Sequence, residues 1–292
     1  MTRVSKLTGW ILYRKDHYRT NCAFAQRFID IGNNNKSSLK LIFKDDIYYG
    51  VRNNSLCLTD SEGNYLAKPD FVINRTIDPL FSKQLEALNI KVFNSAEIAE
   101  ICNDKSRTCL EIAKLDIPMV NTLFMDKKSI TEKEFSFEYP AVIKTVGGRG
   151  GKEVFLARNY EEICKIALSI PDERFVVQEL SSNPGRDVRV FVVGKEIVGA
   201  VIRISKDGFK ANLSLGGSCE PYILSKEERN LVMKIIQHFD FGMVGIDFIF
   251  DEKDRFLFNE IEDVAGSRTL SMTSRVDIVS LYMEHIYKTF GL

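Results

Sequence analysis

The stretch from Gly245 to Glu262 constrains this chain more than any other. It reads Gly245-Ile246-Asp247-Phe248-Ile249-Phe250, then a charged turn, then Phe256-Leu257-Phe258-Asn259-Glu260-Ile261-Glu262. Two apolar runs of strand length around a polar turn predict a hairpin. Three carboxylates stand among its large apolar side chains, where a charge is expensive unless something pairs with it. Strand residues two apart share a face, so Glu260 and Glu262 point the same way. A turn at Glu252-Lys253-Asp254-Arg255 sets Asp247 opposite Glu260, and the three side chains then converge. Hard oxygen ligands clustered in this way suit Mg2+, most often Mg2+ carrying the phosphates of a nucleotide. The competing reading is a strand side that faces solvent and happens to be acidic.

The rest of the chain is large enough to build a pocket around such a site. Its 292 residues, 45% of them hydrophobic, suffice for two or three packed units. Lys plus Arg and Asp plus Glu number 40 each, so the formal net charge is zero. No global field favours nucleic acid or an anionic membrane, and any attraction for nucleotide must be local. The six cysteines are scattered, with no CxxC and no paired His spacing. That pattern fits a reducing, cytoplasmic setting and argues against zinc. No signal peptide is apparent, and no run of about 18 apolar residues could span a membrane.

The first hundred residues alternate between strand and helix patterns. Strands are expected at Trp10–Tyr13, Lys40–Phe43, Phe71–Ile73 and Lys91–Phe93, the third followed by Asn74-Arg75 at its C-terminal end. Helices are expected over Asn21–Ile31, Pro79–Leu88 and Ala96–Cys102, the last capped by Ser95. This alternation favours a parallel sheet with helices on its faces. A second unit opens near Asn103 with a helix over Lys105–Leu115. Strands Ala141–Lys144, Glu153–Ala157 and Phe175–Leu180 follow, with a helix over Tyr160–Leu168. A third unit holds strands Val188–Val193 and Ile197–Ile204, a helix over Lys226–Phe239, the hairpin, and a closing helix over Ile278–Phe290.

Gly147, Gly148, Gly150 and Gly151 put four glycines in five residues between two strands. Glycine allows positive φ and lets backbone N–H groups approach an oxyanion, so a flexible lid over phosphates is expected. It is neither a P-loop nor a dinucleotide fingerprint, because a strand follows rather than a helix. Lys144 ends the strand before it and can reach phosphate oxygens, or it can snorkel at a strand end. Lys105 begins a helix, where a cation opposes the dipole, so another role is expected of it. Its neighbour Asp104 suits an N-cap. Gln178-Glu179-Leu180 ends a strand where backbone groups could meet a base. Arg189 and Arg203 lie inside apolar runs. They either pair with the carboxylates, beside Asp187, or bind phosphate.

In this order the pieces resemble an ATP-grasp ligase. The set is Asn103-Asp104-Lys105, Val142-Ile143-Lys144 before the glycine loop, Val177-Gln178-Glu179 and Asp187-Val188-Arg189. It continues with Lys210-Ala211-Asn212, Gly245-Ile246-Asp247 and Asn259-Glu260-Ile261-Glu262. Among such ligases the chain is most similar to the RimK-type branch, which adds glutamate to a ribosomal protein or to small acceptors. The similarity spans about residues 70 to 285. It implies an ATP-grasp fold of the α/β and α+β class behind a Rossmann-like N-terminal domain. The units expected are 1–102, 103–180 carrying the glycine lid, and 181–292 carrying the metal site. It implies that Lys105 and Lys144 contact phosphates and that Glu179 and Leu180 contact adenine. Asp187 would face the ribose, and Lys210 to Asn212 would line the nucleotide site. Asp247, Glu260 and Glu262 would hold two Mg2+ ions, with Mn2+ able to substitute. Arg189 and Arg203 would face the transferring phosphate or the acyl substrate.

One departure matters. The family's second metal strand usually ends Glu-x-Asn, followed by a small residue, Pro and Gly. Here the chain runs Glu260-Ile261-Glu262-Asp263-Val264-Ala265-Gly266-Ser267-Arg268. Glu for Asn keeps an oxygen ligand, so metal binding should survive. The missing Pro-Gly alters the loop beside the acceptor, where Arg268 could pair with a substrate carboxylate or simply lie on the surface. The expected activity is ATP-dependent ligation of a small-molecule or peptide acid to an amine through an acyl phosphate. Neither nucleic acid nor membrane is expected as a partner, and the sequence leaves room for a homo-oligomer. The rivals are a kinase on the same scaffold and a nucleotide-binding module without turnover.

Overall fold

The computed structural model describes residues 6–130, 136–151, 153–206, 208 and 216–292. The N-terminal part runs β1 (Leu7–Tyr13), α1 (Lys15–Asn34), β2 (Ser37–Phe43), β3 (Tyr48–Arg52), β4 (Ser55–Thr59), β5 (Phe71–Asn74), α2 (Pro79–Ala87), β6 (Lys91–Phe93) and α3 (Ala96–Cys102). Strands β2-β1-β5-β6 form a parallel sheet, as the strand–helix alternation predicts. Helix α1 begins six residues before the expected start at Asn21. Its first turn is polar and carries no apolar spacing, but Asp16 there suits the helix dipole. The hairpin β3–β4 is absent from the sequence reading. Its turn is Asn53-Asn54, both at positive φ (50° and 58°), which a two-residue hairpin turn requires and asparagine tolerates.

The middle part contains α4 (Lys105–Ala113), β7 (Thr122–Asp126), β8 (Ala141–Thr145), β9 (Val154–Ala157), α5 (Tyr160–Ser169) and β10 (Arg174–Glu179). Its antiparallel sheet has the order β7-β10-β8-β9. The C-terminal part contains β11 (Arg186–Val193), β12 (Glu196–Ile204), β13 (Ser218–Pro221), α6 (Lys226–His238), β14 (Met243–Phe250), β15 (Phe256–Glu262), α7 (Arg268–Thr273) and α8 (Ile278–Thr289). Its antiparallel sheet has the order β13-β12-β11-β14-β15. No helix among the described residues is long and apolar enough to cross a membrane.

Two cores fix how the sheets meet. Phe28 of α1 and Phe71 and Phe93 of the N-terminal sheet pack with Phe191, Met243, Tyr282, Met283 and Ile286. The closing helix α8 is thus buried against the first hundred residues. A second core gathers Ile98 and Ile112 with Val190, Ile236, Phe248 and Phe258 under the C-terminal sheet. This anchors α3 and α4 beneath the metal-candidate strand.

The hairpin β14–β15 pairs Asp247 with Glu260, as expected, but by a different route. The turn spans five residues, since Phe250 pairs with Phe256. An unpaired residue, Asn259, then restores the offset between Phe248–Phe258 and Asp247–Glu260. A bulge also swaps the faces of the strand beyond it. Phe256 and Phe258 point into the core, and so does Ile261 after the bulge. Glu260 and Glu262 therefore leave the face that Phe256 and Phe258 occupy. Without Asn259 in the bulge, both glutamates would continue into the apolar core.

Candidate active site

A cleft open to solvent lies between the middle and C-terminal sheets. Lys105, Lys144, Gly148, Gly150, Gly151, Glu179, Leu180, Asp187, Arg203 and Glu260 all line it. Gly147 and Glu262 line a small adjoining hollow with Lys105 and Arg149. Lys210 and Asn212 lie outside the described residues.

Lys105 resolves the anomaly of a cation at a helix start. Asp104 caps α4 by accepting from the N–H groups of Ser106 and Arg107. The cap frees Lys105 to reach out of the helix. Its Nζ donates to the Gly148 carbonyl at 2.5 Å and lies 3.6 Å from Glu260. Lys144, on β8, donates to Asn259 Oδ1 at 2.8 Å. Burial lowers the Lys144 pKa, while the nearby Glu260 charge pulls it back up. Two cations from the middle part therefore converge on two successive residues of β15.

The glycine loop is tied down rather than free. Arg149, its one charged described residue, pairs with buried Asp263 at 2.7 Å. Gly150 and Gly151 take positive φ of 64° and 72°, so glycine is needed there on conformational grounds. Gly148 is needed for space: a Cβ there would meet Thr145 Oγ1 at 2.2 Å and Glu153 Oε2 at 2.8 Å. At Gly147 the nearest neighbour would be 4.0 Å away. Gly148→Ala should accordingly displace the loop and cost about 1–3 kcal/mol of stability. Gly147→Ala should stay near wild type. Urea melts check the pair, and equal effects would refute the packing argument.

At the far end of β10 the Glu179 carboxylate accepts from Asn121 Nδ2 at 2.7 Å. The Leu180 N–H donates to the Pro140 carbonyl at 3.3 Å. These contacts hold the strand end in place at the mouth of the cleft.

The arginines form the centre of a buried ion network. Arg189 grips Asp247 through Nε and Nη2 at 2.7 and 2.6 Å, and Glu262 through Nη1 at 2.7 Å. Arg203 grips Asp187 at 2.6 and 2.8 Å and reaches Asp247 at 2.7 Å. Of the two readings open for these arginines, the structure thus displays pairing with the carboxylates. Asp247 is 1% exposed. One oxygen from each of Asp247, Glu260 and Glu262 can be chosen so that all lie within 4.8 Å of one another. That all-oxygen donor set fits a hard divalent cation.

Asp187 and Asp247 share Arg203 and move in opposite directions. Burial pushes the Asp187 carboxyl up to about 6, more than Arg203 can offset. Burial also opposes ionisation of Asp247, but Arg189 and Arg203 together outweigh it and hold that carboxyl at about 2. The native pKa of Asp187 exceeds its unfolded value. Its stabilising protonation is complete below about pH 4 and lost as pH rises through 6. For Asp247 the sign reverses: its contribution is present above about pH 4 and lost as pH falls toward 2. Asp187→Asn should therefore remove a loss of stability between about pH 4 and 6 on the order of 2 kcal/mol. Urea melts of both proteins across that range test this, and parallel profiles would contradict it.

Some site residues escaped the sequence reading. Asn259 receives Lys144 and makes the bulge, and Arg149 and Asp263 tie the glycine loop to the end of β15. A signal existed for each. Asn259 stands beside Glu260, Arg149 is a lone charge among glycines, and Asp263 is a further acid after Glu262. Arg268, expected in a loop, is the first residue of α7. It is exposed, and no ion pair reaches it among the described residues.

Three sheets in this order, with a cleft walled by a glycine loop and an acidic hairpin, define the ATP-grasp fold. The chain belongs to the RimK-like ATP-grasp family, whose domain model matches residues 102–286. One relative is the alpha-aminoadipate–LysW ligase LysX of Saccharolobus solfataricus. It is 27% identical over 208 residues, 68% of this chain and 75% of that protein. Another is beta-citrylglutamate synthase B of Homo sapiens, 26% identical over 262 residues, 84% of this chain and 68% of that one. A structure of the ATP-grasp ligase PsnB complexed with a minimal precursor covers 97% of this chain and 99% of its own. Its TM-score is 0.65 at 16% identity, a likeness of fold.

Proposed function

We propose that this protein is an ADP-forming carboxylate–amine ligase, joining an amino acid or peptide to an acid through an acyl phosphate. One observation carries the reading. Lys105 at the start of α4 and Lys144 on β8 reach across to Glu260 and Asn259 of β15, where Glu260 clusters with Asp247 and Glu262. A nucleotide triphosphate with its metal needs that combination of fixed cations and hard oxygen ligands. The named relatives, an alpha-aminoadipate–LysW ligase and a beta-citrylglutamate synthase, agree with it.

In this reading the units 1–102, 103–180 and 181–292 act as acceptor-side, lid and metal-bearing parts. Glu179 and Leu180 hold the adenine end, and Asp187 lies toward the ribose. Lys105, Lys144 and the N–H groups of Gly147, Gly148, Gly150 and Gly151 hold the phosphates. Lys210 and Asn212 belong to the same proposed nucleotide set. Asp247, Glu260 and Glu262 hold two Mg2+ ions, which neutralise charge on the phosphates when bound. Arg189 and Arg203 offer fixed positive charge beside the transferred group. A substrate carboxylate oxygen attacks the γ-phosphorus and ADP leaves. The amine then attacks the acyl carbon, phosphate leaves, and the amine proton passes to solvent. The tied glycine loop keeps water from the acyl phosphate.

Hydroxylamine trapping tests the chemistry. With ATP, Mg2+ and the acid substrate, an acyl phosphate yields a hydroxamate. A phosphate ester, the product of a kinase, yields none, and that outcome would replace the ligase reading.

A further inference from the structure

The glycine loop carries its own cation, and that cation is already taken. Arg149 stands in the middle of Gly147-Gly148-Arg149-Gly150-Gly151. Its Nη2 lies 2.7 Å from Oδ1 of Asp263, one residue past the end of β15. Asp263 is anchored apart from the loop. Its second carboxylate oxygen accepts from Asn103 Nδ2 at 3.2 Å. Its carbonyl accepts from Asn94 Nδ2 at 2.8 Å, and Asn94 accepts in turn from the N–H groups of Gly242 and Met243. Two residues on, the Ala265 carbonyl accepts from Arg75 Nη2 at 2.8 Å. The acid is thus fixed to the body of the protein, while the arginine rides on the loop.

The pair closes a space that a nucleotide with its metal needs. Arg149 lines the small hollow beside the cleft with Lys105, Gly147, Gly148, Glu260 and Glu262. That hollow has room for no more than about one water molecule. Lys105 is committed to the loop as well, through the Gly148 carbonyl. Two cations at the phosphate end are therefore spent on contacts of the loop. A guanidinium fork matches phosphate as well as carboxylate, so an incoming phosphate competes for Arg149.

Burial gives the competition its weight. The Asp263 side chain is 4% exposed and pairs with no other cation among the described residues. When Arg149 leaves, that charge stays enclosed without a counter-ion, which is costly. The acid draws the arginine back whenever phosphate is absent. Apparent affinity for nucleotide falls in proportion to the fraction of molecules in which the arginine is free.

We propose that Arg149 is a phosphate-binding residue and that Asp263 is a competitor built into the chain, standing in for the phosphate until a nucleotide arrives. With Mg2+·ATP bound the guanidinium passes from Asp263 to a phosphate oxygen, so the loop stays tied throughout. This rests on the nucleotide cleft of the ligase reading and not on the identity of acid or amine.

The test is binding of Mg2+·ATP to the full chain by titration calorimetry, with neither acid nor amine present. The two ends of the pair should act with opposite signs. Asp263→Asn keeps an acceptor for Asn103 and frees Arg149, so it should lower Kd about 10-fold. Arg149→Met removes a phosphate contact and should raise Kd about 10- to 100-fold. In the Arg149→Met background, Asp263→Asn should change Kd by less than about 2-fold, because the acid acts through the arginine. Trypsin supplies a second readout. Cleavage after Arg149 in the nucleotide-free protein should be faster in Asp263→Asn than in the wild type, and Mg2+·ATP should suppress it in both.

A purely structural pair predicts the same sign at both ends. Weaker or unchanged binding in Asp263→Asn would overturn the competition, as would equal cleavage of the two proteins. Unchanged or tighter binding in Arg149→Met would overturn it from the other end, on a loop side chain outside the core. An Asp263→Asn effect that survives in the Arg149→Met background would reduce it to general charge relief and overturn it too. Absence of Mg2+·ATP binding from wild type and variants alike would sink the ligase reading with it, whereas binding with the wrong signs sinks the competitor alone.

Discussion

Glu260→Ala should abolish Mg2+-dependent ADP release while leaving the protein folded. Glu260 is part of the all-oxygen cluster with Asp247 and Glu262, and it lies 3.6 Å from the Lys105 ammonium. Its removal takes away a candidate metal ligand and the counter-charge that aims Lys105 at the cleft. Losing fixed charge where a phosphoryl group transfers lowers turnover by about 100- to 1,000-fold, and more where a metal is lost with it. The fold should tolerate the change. The Glu260 side chain keeps 25% of its surface exposed, and a pair of that kind is worth about 1 kcal/mol or less. Removing one of three neighbouring carboxylates also relieves repulsion between the other two. The measurement is ADP release across a Mg2+ titration, with a thermal melt as control. Glu260→Gln keeps the shape and loses the charge, so it should be nearly as inactive. Unchanged turnover in either variant would sink the metal assignment.

That prediction depends on a register the sequence discloses only in part. The apolar runs and the charged turn were enough to pair Asp247 with Glu260. They were not enough to place the turn or the bulge, two departures that cancel. Apolar periodicity reports which residues are buried, and it is blind to one residue left out of a ladder. The same limit explains the missing elements. Strand β13 reads Ser-Cys-Glu-Pro and lies at a sheet edge, so no alternation marks it. Strand β7 is also an edge, and its Leu123 and Phe124 are both exposed. The turn of β3–β4 was the exception: Asn53-Asn54 is a local signal and could have been read.

The site was legible where chemistry is concentrated in short runs. Lys105, Lys144, the glycine loop and the three acids of the hairpin all border the cleft or its adjoining hollow, or join their network. The pairing among charges was not legible. Whether Arg203 serves Asp187, Asp247 or a phosphate depends on strands β11, β12 and β14 lying side by side. Arg75 shows the same limit from the other side. A strand-end arginine reads as a surface residue until packing buries it against a backbone carbonyl, here that of Ala265.

Asp247→Ala should be the most destabilising single change at this site. Asp247 is fully enclosed and accepts three hydrogen bonds, two from Arg189 and one from Arg203. Removing one partner from a buried ion network costs about 3–5 kcal/mol, because the remaining charges lose their compensation. Here each arginine keeps a second carboxylate, Glu262 for Arg189 and Asp187 for Arg203. The loss should accordingly fall near the lower end, about 3 kcal/mol. Asp247→Asn should be little better, since its amide would turn a donor toward the arginines' own donors. The network supplies a second readout. Asp187 sits at about 6 because burial opposes its charge and because Asp247 both competes for Arg203 and repels it. With Asp247 gone, Arg203 belongs to Asp187 alone, so the Asp187 midpoint should fall toward the ordinary aspartate range. Denaturant melts measure the first effect, and carboxyl carbon chemical shifts against pH measure the second. A stable Asp247→Ala protein with an unmoved Asp187 titration would mean that the network does not hold this face of the sheet together.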